Sequence, residues 1–189
     1  MPTAEKGSNN IYPKGALILK MLRDELGDNL FWKAIKDYTK NFNNSLVITD
    51  DLQKSLEKST GKDLSLFFKQ WVYYAGHPKF KIIYNYDSKS KKLSVKINQV
   101  QKIDSLTGIF TVNPELEIIT KKGTIVKKLN ISKKEELFEF ENISKPLAIN
   151  FDPYDKIIKE TEIEETTEML INKLLLSKSI SAKFSPLQS

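Results

Sequence analysis

The apolar pattern of this chain changes its period at Lys79, and that switch constrains the fold more than any other feature. Before it, apolar residues recur at helical spacing. After it, they alternate as in half-buried strands. Ala16, Leu19, Leu22 and Leu26 follow the helical rule behind Pro13, and Gly27 stops the run. Asp28 is positioned to cap a second helix carrying Leu30, Phe31, Ala34, Ile35, Tyr38 and Phe42. Thr49-Asp50-Asp51 offers capping oxygens to a third helix with Leu52 and Leu56, which Gly61 ends. Asp63 opens a fourth, whose stripe is Leu64, Phe67, Phe68, Trp71, Val72 and Ala75. Gly76-His77-Pro78 forbids further helix.

From Lys79, "FKIIYNYD" and "KLSVKINQVQ" alternate around the turn "SKSK". "LEIITKKGTIVKKLNI" reads as a hairpin around Lys122-Gly123. "LFEFEN" and "LAINFDP" bring the total to about six short strands, which suggests an antiparallel sandwich of Greek-key or immunoglobulin-like type. Past Pro153, "EETTEMLINKLLL" returns to helical spacing at Met169, Leu170 and Leu174. The fold class expected is therefore α+β in several parts. Residues 1–10 are a disordered lead, 11–78 a helical segment, 79–155 a β-sandwich and 156–189 the first helical unit of a truncated C-terminal array.

Composition removes several functions. There is no cysteine, hence no disulfide, thiol nucleophile or cysteine-bound zinc. There is one histidine, His77, whereas a hydrolytic zinc site usually takes two or three. A Ser-His-Asp triad would have to run through His77, and no partner constellation surrounds it, so a turn role is expected. No phosphate-binding glycine loop and no nucleophile elbow occur. No apolar run is long enough to span a membrane, and "MPTAEKGSNN" lacks the apolar core of a signal peptide. The net charge of +6 is carried almost wholly by lysine, with Arg23 the one arginine. Base readout favours arginine forks, so a solvated basic surface is expected rather than specific nucleic-acid binding. Glu160, Glu162, Glu164, Glu165 and Glu168 read as a solvated face and an acidic helix start rather than a cation site.

Tyr12, directly before a helix, admits two readings. Its ring is a hydrophobic plug, or its hydroxyl is held at a helix start for chemistry. "IYPKGALILKMLRDELGD", followed by "FWKAIKDY", resembles the segment downstream of the zinc site in the membrane alanyl aminopeptidase family, the gluzincin zinc aminopeptidases. "TDDLQKSLEKSTGKDLSLFFKQWVYYAGHPKFKI" resembles that family's passage from the catalytic domain into a β-sandwich. The resemblance covers about residues 11–155 well and the tail weakly.

The resemblance implies that 11–78 closes a thermolysin-like catalytic domain of a metallopeptidase that removes N-terminal residues from peptides. The family's H-E-x-x-H…E zinc ligands match nothing here, so no cofactor is expected in this chain. Zinc belongs to the parent enzyme, and the zinc-bearing N-terminal half becomes the expected partner, with peptide as the parent's substrate. Tyr12 matches the tyrosine of the family's Tyr-x-Lys-Gly motif, whose hydroxyl donates to the transition-state oxyanion. The chain alone is expected to be inactive and to self-associate or bind the missing half through exposed helical faces. The alternative is a non-enzymatic β-sandwich and helix module that binds protein or peptide. A basic nucleic-acid binder ranks below both.

Overall fold

The structure, a computed structural model, describes residues 11–184; the lead expected over 1–10 lies outside the described residues. The chain divides between Tyr74 and Ala75 into two compact units.

The first unit is helical. Its elements are α1 (Ile11–Leu26), α2 (Asp28–Asn41), α3 (Thr49–Thr60) and the short α4 (Ser65–Phe68), which runs into a π-helical turn over Lys69–Tyr73. The α1–α2 break is set by Gly27 at φ 77°, a left-handed conformation that costs glycine little. Asp28 is the first residue of α2, not its cap; Gly27 occupies the cap position. The Asp28 carboxylate instead takes both prongs of the Arg23 guanidinium, at 2.7 and 2.8 Å. Gly61 ends α3 in the left-handed helical conformation, at φ 70° and ψ 10°, and so shares only the positive φ of Gly27. Asp51 turns back to accept the Ile48 N–H at 3.0 Å, and Asp63 accepts that of Ser65 at 2.8 Å. The apolar stripes converge on Leu22, Leu26, Phe31, Ala34, Leu56, Leu64 and Phe68. Trp71 is buried, as its place in the stripe predicts.

The second unit holds seven strands. These are β1 (Lys79–Asp87), β2 (Lys92–Gln99), β3 (Glu115–Thr120), β4 (Gly123–Lys128), β5 (Glu135–Phe140), β6 (Pro146–Phe151) and β7 (Glu160–Ile163). They form two sheets, ordered β5-β2-β1-β7 and β4-β3-β6. Phe80 of β1 meets Phe151 of β6 with ring centroids 5.3 Å apart, which joins the inner faces of the sheets. Phe80, Ile82, Leu93, Val95, Ile97, Leu116, Ile118 and Ile149 fill the space between. Gln99 holds the irregular stretch that follows β2: its amide donates to Phe110 O at 2.7 Å and accepts from Phe110 N at 3.0 Å. One side chain thus supplies the pairing a missing strand would give.

Two features depart from expectation. Residues 160–163 are strand rather than the approach to a helix, and β7 pairs in parallel with β1, Lys79 opposite Glu160 and Ile82 opposite Ile163. A boundary at 155 would cut β7 from its sheet. Helix α5 (Thr167–Leu176) then returns over the other sheet, where Asn172 Nδ2 donates to Leu147 O at 3.2 Å. That cover explains why β3 and β6 are buried at nearly every position instead of alternating. A five-residue helix, α6 (Ile180–Phe184), follows.

Candidate functional site

Tyr12 lies in the first turn of α1, not before it. Pro13 occupies that turn at no cost, because its missing N–H would have had no helical partner. The Tyr12 side chain is 89% exposed, with no hydrogen-bond partner among the described residues. It heads a stripe of Tyr12, Ala16 and Leu19 one helical face long. Leu19 is 42% exposed, while Leu22, one turn on, is 1% exposed and joins the core. The C-terminal half of α1 is therefore packed and its N-terminal half stands open. Within its own unit the Tyr12 ring plugs nothing, so the hydrophobic-plug reading finds no support there.

Gly15 sharpens the point. A Cβ built on it meets nothing within 4 Å. Glycine inside a helix costs about 1 kcal/mol relative to alanine, and no neighbour among the described residues requires it.

His77 behaves as a structural residue. Its Nε2 lies 2.8 Å from Glu160 Oε1, and Lys79 Nζ lies 2.7 Å from Glu160 Oε2. Lys79 first and His77 second hold the Glu160 carboxyl below its usual range. Lys81 likewise reaches Glu162 and Glu164, each at 3.2 Å. These three glutamates thus face lysines across the β1–β7 pair, while Glu168 stands in the first turn of α5, as an acidic helix start requires.

Glu165 is the exception among the acidic residues. It pairs with Lys173 at 2.6 Å, the two side chains 5% and 1% exposed. A buried lysine on α5 breaks the apolar pattern, and the exposed Leu174 and Leu175 replace it on the solvent side.

Among the described residues no three His, Cys, Asp or Glu side chains gather to hold a metal ion. The one histidine is committed to Glu160. The described residues do not fit a hydrolytic zinc.

The profile of the Peptidase family M1 domain matches residues 6–71. Aminopeptidase N of Haemophilus influenzae is 22% identical over 178 residues, covering 87% of this chain and 20% of that protein. Probable aminopeptidase 2 of Sulfurisphaera tokodaii is 30% identical over 146 residues, covering 75% of this chain and 17% of that protein. The chain belongs to the peptidase M1 family. The crystal structure of Legionella pneumophila aminopeptidase A in complex with aspartic acid superposes with a TM-score of 0.75. It is 20% identical, and the match covers 93% of this chain and 20% of that one. The likeness in fold thus takes in the helices and the sandwich alike. The chain spans about a fifth of the length of the M1 relatives it matches.

No helix among the described residues is long and apolar enough to cross a membrane.

Proposed function

We propose that this chain forms the C-terminal share of an M1 catalytic domain, the sandwich that follows it and the start of a helical region. The parent removes N-terminal residues from peptides and takes its zinc from an H-E-x-x-H…E site outside this chain. Alone, the chain is inactive, because its donor set does not hold that metal. The observation that carries this reading is the match over residues 6–71 to the M1 domain together with relatives five times as long. The open face of α1 supports it. Tyr12, Ala16 and Leu19 are uncovered, and Gly15 leaves room for a close backbone approach. The partner is the N-terminal, zinc-bearing half.

In that assembly Tyr12 is the oxyanion donor. Its phenol hydroxyl is a hydrogen-bond donor. It donates to the substrate carbonyl oxygen as that atom gains negative charge. One preorganised donor of this kind is worth about 3 kcal/mol.

The test is complementation. The chain alone, with and without added zinc, is assayed on an aminoacyl anilide, then mixed with an N-terminal half taken from an M1 relative. Activity only in the mixture supports the proposal. Chelator-sensitive turnover by the chain alone overturns its inactivity, and no association between the halves overturns the partner.

A further inference from the structure

The second unit contains a cleft of about 720 Å³ between β1, β6, β7, the 152–159 loop, α5 and α6. Three buried side-chain oxygens among the described residues lack any hydrogen-bond partner: Asn150 Oδ1, Thr161 Oγ1 and Glu165 Oε1. All three belong to residues that line this cleft. Buried polar atoms without partners are rare in folded proteins, and each costs about 1–3 kcal/mol. Their coincidence at one cavity points to an occupant.

The chemistry of the wall indicates what kind. Lys159, also on the wall, is fully engaged: its ammonium donates to Asp152 at 2.7 Å, Asp155 at 2.7 Å and Ile157 O at 3.4 Å. Lys173 is not. Among the described residues its Nζ donates to Glu165 Oε2 alone, although an ammonium carries three N–H groups. The side chain is 1% exposed, so water outside cannot freely take the other two. Asn150 spends its amide N–H groups on Glu117 Oε2 at 2.6 Å and Ser177 Oγ at 2.9 Å, which leaves its oxygen as an acceptor. The wall therefore offers unfilled donors on Lys173 and Thr161, and unfilled acceptors on Asn150 and Glu165.

We infer that this cleft binds a free α-amino acid with an apolar side chain. Its carboxylate accepts from the Lys173 ammonium and the Thr161 hydroxyl, and its ammonium donates to Glu165 Oε1 and Asn150 Oδ1. A simple cation would leave the Lys173 donors unfilled, and a simple anion would leave both acceptors unfilled. A zwitterion fills both sets and adds no net charge to a buried ion pair. Phe80, Phe151, Ile163 and Leu170 supply apolar wall for the side chain, and the volume lies in the range of small-molecule sites. This site is separate from Tyr12, and the inference does not depend on the peptidase reading.

The experiment titrates the whole chain with L-leucine, followed by thermal unfolding and by amide chemical shifts. N-acetyl-leucine, which lacks the ammonium, and isoamylamine, which lacks the carboxylate, serve as controls. The expected result is a saturable rise in Tm with L-leucine alone, with shifts centred on Thr161, Glu165 and Leu170. Thr161→Val keeps the shape of the residue, removes the hydroxyl and weakens L-leucine at least tenfold, whereas Thr161→Ser retains binding. Lys173→Met abolishes it, and Thr161→Val carries the test if that variant does not fold. Equal responses to all three compounds, full binding by Thr161→Val, or no saturable response to L-leucine would overturn the inference; the last leaves ordered water as the sole occupant.

Discussion

Lys173 Nζ on α5 lies 2.6 Å from Glu165 Oε2, just ahead of that helix, and neither side chain reaches solvent appreciably. The contact joins two residues eight apart and fixes where α5 begins its crossing of the sandwich.

Breaking half of that pair should be far worse than removing all of it. Lys173→Met leaves a buried carboxylate without its cation, and the expected loss is about 3–5 kcal/mol. Lys173→Met with Glu165→Leu should recover most of it, because the desolvation cost of both charges disappears. Urea unfolding of the single and double variants measures the difference. Equal losses in both would mean that the pair contributes packing rather than charge.

Gly15→Ala should separate the needs of the isolated chain from those of its assembly. Nothing opposes a methyl group at Gly15, so the free chain should gain about 0.5–1 kcal/mol from the better helix former. Complementation by the N-terminal half should fall at the same time. A variant that gains stability and complements fully would show that no backbone approaches there.

Tyr12→Phe in the reconstituted enzyme should lower kcat by about 100-fold or more with KM little changed, as for a contact made mainly in the transition state. The ring, 89% exposed in this chain, contributes little to its folding, so the unfolding midpoint of the chain alone should not move. Full kcat in the phenylalanine variant would end the oxyanion assignment.

Glu160 gives a pH signature. Its carboxyl is held below the usual range by Lys79 and then His77. A depressed folded pKa means the unfolded state binds the proton more readily. The contribution is therefore present above the unfolded value and is lost as pH falls through the folded one. The window lies below the ordinary glutamate pKa of 4.5. Both partners are about half exposed, so solvent screening limits the effect to under about 1 kcal/mol. Glu160→Gln should be slightly less stable at pH 7 and should converge with the parent near pH 3. Parallel stability curves across that range would remove the assignment.

Much of this fold was legible because periodicity reports burial on one face. Leu22, Leu26, Phe31, Ala34, Leu56 and Phe68 are all core residues of the helical unit, as their spacing requires. The β1–β2 and β3–β4 hairpins stand where alternation placed them. What stayed hidden came from pairing between distant segments. Residues 160–163 alternate only over one short run of glutamate, threonine and isoleucine, too brief to mark a strand until β1 supplies the edge. The burial of Lys173 has no sequence signal, because its partner, Glu165, sits in an acidic stretch with no mark of burial. Tyr12 was visible through its motif alone; its open surroundings could not be inferred from spacing.

The parallel β1–β7 pair has a consequence for how the molecule is made. Lys79 must wait for Glu160 before that edge of the first sheet is closed. As the chain emerges from the ribosome, β1 and β2 form their hairpin early, while the other edge of β1 keeps its backbone groups free through the synthesis of five further strands. Such an edge invites pairing with a neighbouring nascent chain, and pairing across a long sequence separation is slow. β7, the last strand of these two sheets in chain order, is therefore the one that closes this exposed edge. Slowed translation between β6 and β7 should lower soluble yield more than the same delay placed after α5.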